Sequence, residues 1–198
     1  MKYLLNTPYK GTRDYIQGGD LYNSINEILP RILKQENSYI NQLSFSTFSY
    51  NLCKLILEED INGQTIIGKG TITLDDNSKK KFGLIETTEI PSMRLPFDEE
   101  SLVSQARFTD QSIELQGLTP FTSIETIVAL TKALSNKEMP LEKGKWVFGK
   151  IDLTSALTSI KDSITIECIN SVAGRFSVNK IMIDGKQVGK IQFIVGTP

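Results

Sequence analysis

The sequence predicts an α+β fold made of two tandem copies of one unit, each a short strand, a long helix and an antiparallel meander. Three observations carry this. A Gln-Gly break followed by an amphipathic stretch occurs twice, at Gln17-Gly18 and at Gln116-Gly117. Each break follows a short strand pattern and precedes a series of alternating segments. A segment containing Pro91 and Pro96 separates the two.

The repeat is legible residue by residue. With Tyr15 over Glu114, an offset of 99 brings Gln17 onto Gln116, Gly18 onto Gly117, Tyr22 onto Phe121, Ser24 onto Ser123, Ile25 onto Ile124 and Ile28 onto Ile127. Glu59-Asp60-Ile61-Asn62 then matches Glu167-Cys168-Ile169-Asn170 at 108, and Phe82-Gly83-Leu84-Ile85 matches Val188-Gly189-Lys190-Ile191 at 106. Loop insertions produce such drift, so a common order of short matches reads as duplication. The expected domains are 1–92 and 101–198, with a linker at about 93–100.

Each copy opens on a strand, Lys10 to Ile16 or Arg107 to Leu115. Then come the helices. Leu21, Tyr22, Ile25, Ile28, Leu29, Ile32 and Leu33 recur at helical spacing, as do Phe121, Ile124, Ile127, Val128, Leu130, Thr131 and Leu134. Asp20, and Thr119 or Thr122, are the expected N-caps. Pro30 should kink the first helix or shift its N-terminus. Strands follow at Leu43 to Leu57 (one or two), Thr65 to Leu74 and Lys81 to Glu89, then at Lys145 to Leu153, Ser163 to Ile169, Gly174 to Ile183 and Lys186 to Val195. Asp184-Gly185 is a hairpin turn.

Composition narrows the function. A chain of 198 residues that is 39% hydrophobic and 23% charged has the material for one large or two small domains. A net charge of −1 supplies no field toward nucleic acid or anionic lipid. Lys79-Lys80-Lys81, after Asp75-Asp76-Asn77-Ser78, reads as a solvated turn. The first residues lack the apolar core of a signal peptide, and no segment reads as a membrane span. Cys53 and Cys168 have neither metal nor redox spacing and read as buried thiols of a reducing, cytoplasmic setting. Histidine is absent. That removes Ser-His-Asp and Cys-His machinery, histidine bases and histidine-ligated metals. No metal site and no cofactor are expected. Any catalysis must use carboxylates, amides, hydroxyls, Lys, Arg or backbone dipoles.

This element order, with a Gly-rich break before each helix, resembles the hotdog fold, in which a sheet wraps a central helix. The resemblance covers about residues 9–90 and 105–196. Two copies imply a double hotdog: tandem antiparallel sheets, each around a helix, joined as a pseudo-dimer. Hotdog proteins handle acyl thioesters of coenzyme A or acyl carrier protein, as thioesterases or dehydratases, at sites between units near the start of the central helix. Free N–H groups and the positive dipole end can stabilise an oxyanion there.

Carried onto this chain, the resemblance implies that Gly18 or Gly19 donates an N–H, that Asp20 activates water, and that Asn23 orients it, with Gln17 on the substrate. In the second copy the matching stretch, Gln116, Gly117 and Thr122 among it, has no acid. Glu125, aligned with Asn26, offers one further along. Hotdog dehydratases pair a carboxylate with a histidine, which this chain lacks, so hydrolysis fits better than dehydration. Each residue also has a structural reading: Asp20 as an N-cap, Glu125 as a dipole-favoured acid, and Gln17 and Gln116 as partners of backbone groups. Tyr22, Phe121 and Trp146 read as core. The alternatives are a non-catalytic acyl-binding or assembly module, or a dehydratase- or acyltransferase-like protein. A homodimer is compatible with all of them.

Overall fold

The computed structural model describes residues 2–58, 61 and 63–197, which form two compact units, Met1–Phe97 and Asp98–Pro198. Three residues of the expected match at Glu59-Asp60-Ile61-Asn62, namely 59, 60 and 62, lie outside the described residues.

The first unit runs β1 (Lys2–Leu5), β2 (Tyr9–Lys10), α1 (Gly18–Leu33), β3 (Tyr39–Phe45), β4 (Cys53–Leu57), β5 (Gly68–Thr73), β6 (Lys79–Glu86) and β7 (Arg94–Leu95). Its sheet has the order β1-β4-β6-β5-β3, every neighbour antiparallel. β2 and β7 form a separate two-residue parallel pair. Leu21, Tyr22, Ile25 and Leu29 bury the apolar stripe of α1, and α1 contacts β1 and β3. Glycine matters most in β5. A Cβ on Gly70 would sit 2.2 Å from the Gln42 carbonyl oxygen and 2.5 Å from Cζ of Phe82. The missing side chain is the space Phe82 fills.

The second unit runs α2 (Glu99–Ser104), β8 (Arg107–Thr109), β9 (Ser112–Gln116), α3 (Ser123–Glu138), β10 (Lys145–Leu153), β11 (Ser163–Val172), β12 (Phe176–Ile183) and β13 (Lys186–Gly196). Its sheet has the order β8-β9-β11-β12-β13-β10. α3 contacts all five strands from β9 to β13. Ile124, Ile127, Leu130 and Leu134 are buried on that face. Asp184 and Gly185, both at positive φ, turn β12 into β13.

Several sequence expectations need correction. Lys10–Ile16 is not a strand: it turns at Gly11, whose φ is +57°, and Ile16 makes only an isolated bridge to Ser49. The outer strand of that sheet is instead β1, too short to register as periodic. Lys79, Lys80 and Lys81 lie in β6, paired with Thr73, Ile72 and Thr71, because the turn ends earlier, where Leu74 N donates to Ser78 O. The segment read as a linker holds β7 and the start of α2. Pro30 lies inside α1 without ending it. Phe121 and Cys168 are only half-buried, whereas Tyr22, Trp146 and Cys53 belong to the core. Among the described residues no helix is long and apolar enough to cross a membrane.

The two sheets also differ in order. β5 lies beside β3 and β6 beside β4, whereas β12 lies beside β11 and β13 beside β10. Phe82–Ile85 and Val188–Ile191 therefore match in chain order but occupy different places in their sheets. The connections account for this. β11 enters β12 directly through Val172–Phe176, with Gly174 in the left-handed region, while a longer segment separates Leu57 from Gly68.

Candidate functional site

The expected site residues of the first unit fall at the start of α1. Gln17 is the N-cap, with extended backbone, and its side chain makes no cap hydrogen bond. Gly18 and Gly19 are the first two helical residues and Asp20 the third. Asp20 N donates to Gln17 O at 3.0 Å and Leu21 N donates to the same oxygen at 3.1 Å. Asn23, half-buried, lies one turn beyond Asp20 and so on the same face.

Asp20 is 5% exposed. It is not the N-cap that its residue type suggested, because the helix starts two residues earlier, at Gly18, with Gln17 at the cap. Lys10 Nζ lies 2.6 Å from Oδ1, and both side chains are nearly buried. The second oxygen, Oδ2, is buried without a hydrogen-bond partner among the described residues. Gln17 Nε2 is in the same condition. A buried acceptor and a buried donor, three residues apart on one helix start, are thus left open. Each such group costs about 1–3 kcal/mol if nothing satisfies it. Burial pushes the Asp20 carboxyl above its ordinary 3.8; the hydrogen bond and charge of Lys10, and the charge of Arg13, oppose that rise.

The expected residues of the second unit do a different job. Gln116 ends β9, is exposed, and donates to Glu114 at 3.4 Å. Gly117, at φ +86°, starts the loop that leaves β9, with its N–H on Asp162 O at 2.8 Å. Thr122 is the N-cap of α3 and Glu125 its third residue, joined in a capping box. Thr122 N and Thr122 Oγ1 each donate to Glu125 Oε2 at 2.7 Å, and Glu125 N donates to Thr122 Oγ1 at 3.4 Å. Glu125 therefore closes its own helix end.

The helix starts are spaced differently from the sequence match. The N-caps Gln17 and Thr122 are 105 positions apart, not 99, and both helices have 16 residues. Asp20 and Glu125 are each the third residue of their helix, whereas Asn26 lies further along α1. The Gln17–Gln116 match pairs a helix cap with a strand end. Sequence reasoning missed Lys10, since nothing in its own neighbourhood announces a partner ten residues on. Among the described residues no group of three or more His, Cys, Asp or Glu side chains could hold a metal ion.

No family model matches the chain, and no curated protein does. Solved structures do. The tesB protein of Mycobacterium avium subspecies paratuberculosis aligns over 97% of this chain and 91% of its own, with TM-score 0.50 and 13% identity. A Thermobifida fusca protein that carries the name thioesterase II aligns over 94% and 89%, with TM-score 0.51 and 9% identity. The dehydratase domain of PpsC from Mycobacterium tuberculosis, solved in complex with C12:1-CoA, aligns over 98% and 88%, with TM-score 0.50 and 9% identity. The chain has an α+β hotdog fold. At such identities the likeness is one of fold, and the chemistry has to be argued from the side chains.

Proposed function

We propose that this protein handles acyl thioesters, carried on coenzyme A or on acyl carrier protein, and that it hydrolyses them without a histidine. The observation that carries the reading is the orphaned Oδ2 of buried Asp20, at the third position of a helix whose N-cap side chain makes no cap bond. The names borne by the neighbours, thioesterase II and a dehydratase bound to an acyl-CoA, agree with this substrate class. We further propose that the two units are diverged copies of one hotdog unit, a double hotdog, supported by helices of equal length with an acid at the third position of each.

Oδ2 takes a proton from water, and the oxygen of that water attacks the thioester carbonyl. The first N–H groups of α1, from Gly18 or Gly19, hold the developing oxyanion. Gln17 Nε2 and Asn23 orient the water or the thioester. The C–S bond then breaks, and the thiolate leaves with the proton. Burial, which raises the Asp20 carboxyl, makes its ionised form a better base. Free Cys53 and Cys168 suit a reducing, cytoplasmic compartment.

A binding module without chemistry is the second reading. The nearly buried Lys10–Asp20 pair favours it, because such a pair can be purely structural. Hydrolysis assays over a panel of acyl-CoA substrates separate the two. Asp20→Asn should lower turnover by about 10²–10⁴-fold, well beyond what its loss of the Lys10 ion pair does to the Tm. Saturable binding of acyl-CoA with no hydrolysis by the unmodified protein would decide for the module.

A further inference from the structure

Lys10 belongs to no motif, yet its surroundings are built with more care than a two-residue strand requires. β2 is held on both sides of Lys10 by the strand that follows the sheet. Tyr9 N donates to Met93 O at 3.0 Å, and Gly11 N donates to Leu95 O at 2.9 Å. Arg94 reaches back over the same segment. Its Nη1 donates to Gly11 O at 2.9 Å and to Arg13 O at 2.6 Å, while its guanidinium lies 5.0 Å from the centre of the Tyr9 ring. The Phe97 ring closes the other side, 5.4 Å from Lys10 Nζ and 5.8 Å from Arg13 Cζ. Arg94 is exposed but tied to the backbone just after Lys10, and half-buried Phe97 lies against the lysine itself.

The lysine in turn fixes one atom. With Oδ1 taken by Lys10 Nζ at 2.6 Å, the Asp20 carboxylate has a single free oxygen and a defined plane. We propose that Lys10 is the positioning residue of the Asp20 site, and that the strap from Met93 to Phe97 holds Lys10 in place. In this histidine-free chain, the orienting part that a second titratable group plays in a histidine–carboxylate dyad falls to an ammonium group. The inference rests on the reading of Asp20 as the reacting carboxylate. The charged side chains that act on Asp20 are Lys10, from β2, and Arg13, from the turn after it. Both favour the ionised form, as does the positive end of α1.

The test is a carboxyl-carbon NMR titration of Asp20 in the full chain, with the signal assigned through Asp20→Asn. Lys10→Met should move the midpoint upward, because burial is then opposed only by the charge of Arg13. Lys10→Arg should restore it toward the unmodified protein. Arg94→Ala should give a smaller upward move. Arg94 is exposed, so this variant keeps the test available even where Lys10→Met does not fold. In thioester hydrolysis, Lys10→Met should lose about 10²-fold, in kcat more than in KM, with partial recovery in Lys10→Arg. An unchanged midpoint in both Lys10→Met and Arg94→Ala overturns the proposal. A shift in the first with none in the second removes the strap from it. The titration needs no turnover, so an inactive unmodified protein would defeat the hydrolase reading without deciding this one.

Discussion

Asp20 and Glu125 stand at the same position of two helices of equal length, and removing each should do opposite things. The Glu125 side is a stability device. Its carboxylate accepts from Thr122 N and Thr122 Oγ1 at 2.7 Å, and the threonine accepts from Glu125 N. Loss of a threonine cap costs about 1 kcal/mol, within a range of about 0.5–2. An acid in the first turn of a helix adds about 0.3–1 kcal/mol through the dipole. For a chain of this length each kcal/mol moves the Tm by about 2–4 °C. Thr122→Ala and Glu125→Ala should therefore each lower the Tm by a few degrees. The double variant should fall short of the sum, since the two residues share the same bonds. Turnover on acyl thioesters should stay within about twofold of the unmodified protein in all three, whereas Asp20→Asn loses turnover. Differential scanning fluorimetry beside a hydrolysis assay reads both. A Glu125→Ala protein with an unmoved Tm and lost turnover would refute this division of labour and return Glu125 to the reacting groups.

Two further expectations concern the scaffold. Gly70→Ala drives a methyl into the Gln42 carbonyl and the Phe82 ring, whereas Gly117→Ala meets open space and only the strain of φ +86°. The first should lose about 1–3 kcal/mol or more and the second about 1 kcal/mol, measured by urea unfolding; equal losses would count against the close approach in β5. Asp184 accepts from the backbone N–H groups of Lys161, Asp162 and Ser163 at 3.2, 2.8 and 3.1 Å, with the Asp162 bond the strongest cause, and these hold its carboxyl below the ordinary 3.8. A folded value below the unfolded one contributes stability above 3.8 that disappears as pH falls through the folded value. The Tm gap between the unmodified protein and Asp184→Asn should thus be full near neutrality and close on acidification. A gap independent of pH would contradict this assignment.

Local signals in the chain announced what local physics builds. The spacing of Leu21, Ile25 and Leu29 marks one face of α1, and Asp184-Gly185 marks a turn because both residues tolerate positive φ. What stayed hidden depends on partners distant in the chain. β1 is four residues long and is a strand because β4 pairs with it. The 93–97 segment looked like a connector because Pro96, with Pro91 just before it, is visible and the carbonyls that receive Arg94 are not. The spacing of 105 between the two N-caps stayed hidden because the Gln-Gly match at 99 pairs the cap of α1 with the end of β9, a loop before α3. Asp20 read as a cap because the two glycines before it hid a helix start at Gly18, and its carboxylate goes to Lys10, outside the helix.

That capture bears on function. Every helix begins with N–H groups that lack intrahelical partners. α3 meets the need with Thr122 and Glu125, at ordinary cost and, among the described residues, with no buried side-chain N or O atom left over at that end. α1 has an acid at the same position and a glutamine at the cap, and could have been closed from within. Instead its acid is turned to Lys10, its cap side chain makes no cap bond, and an acceptor and a donor stay buried and open. Each open atom weakens the fold by an amount comparable to a lost hydrogen bond. That contrast with the closed start of α3 is the physical ground on which the proposed acyl-thioester site is placed at α1.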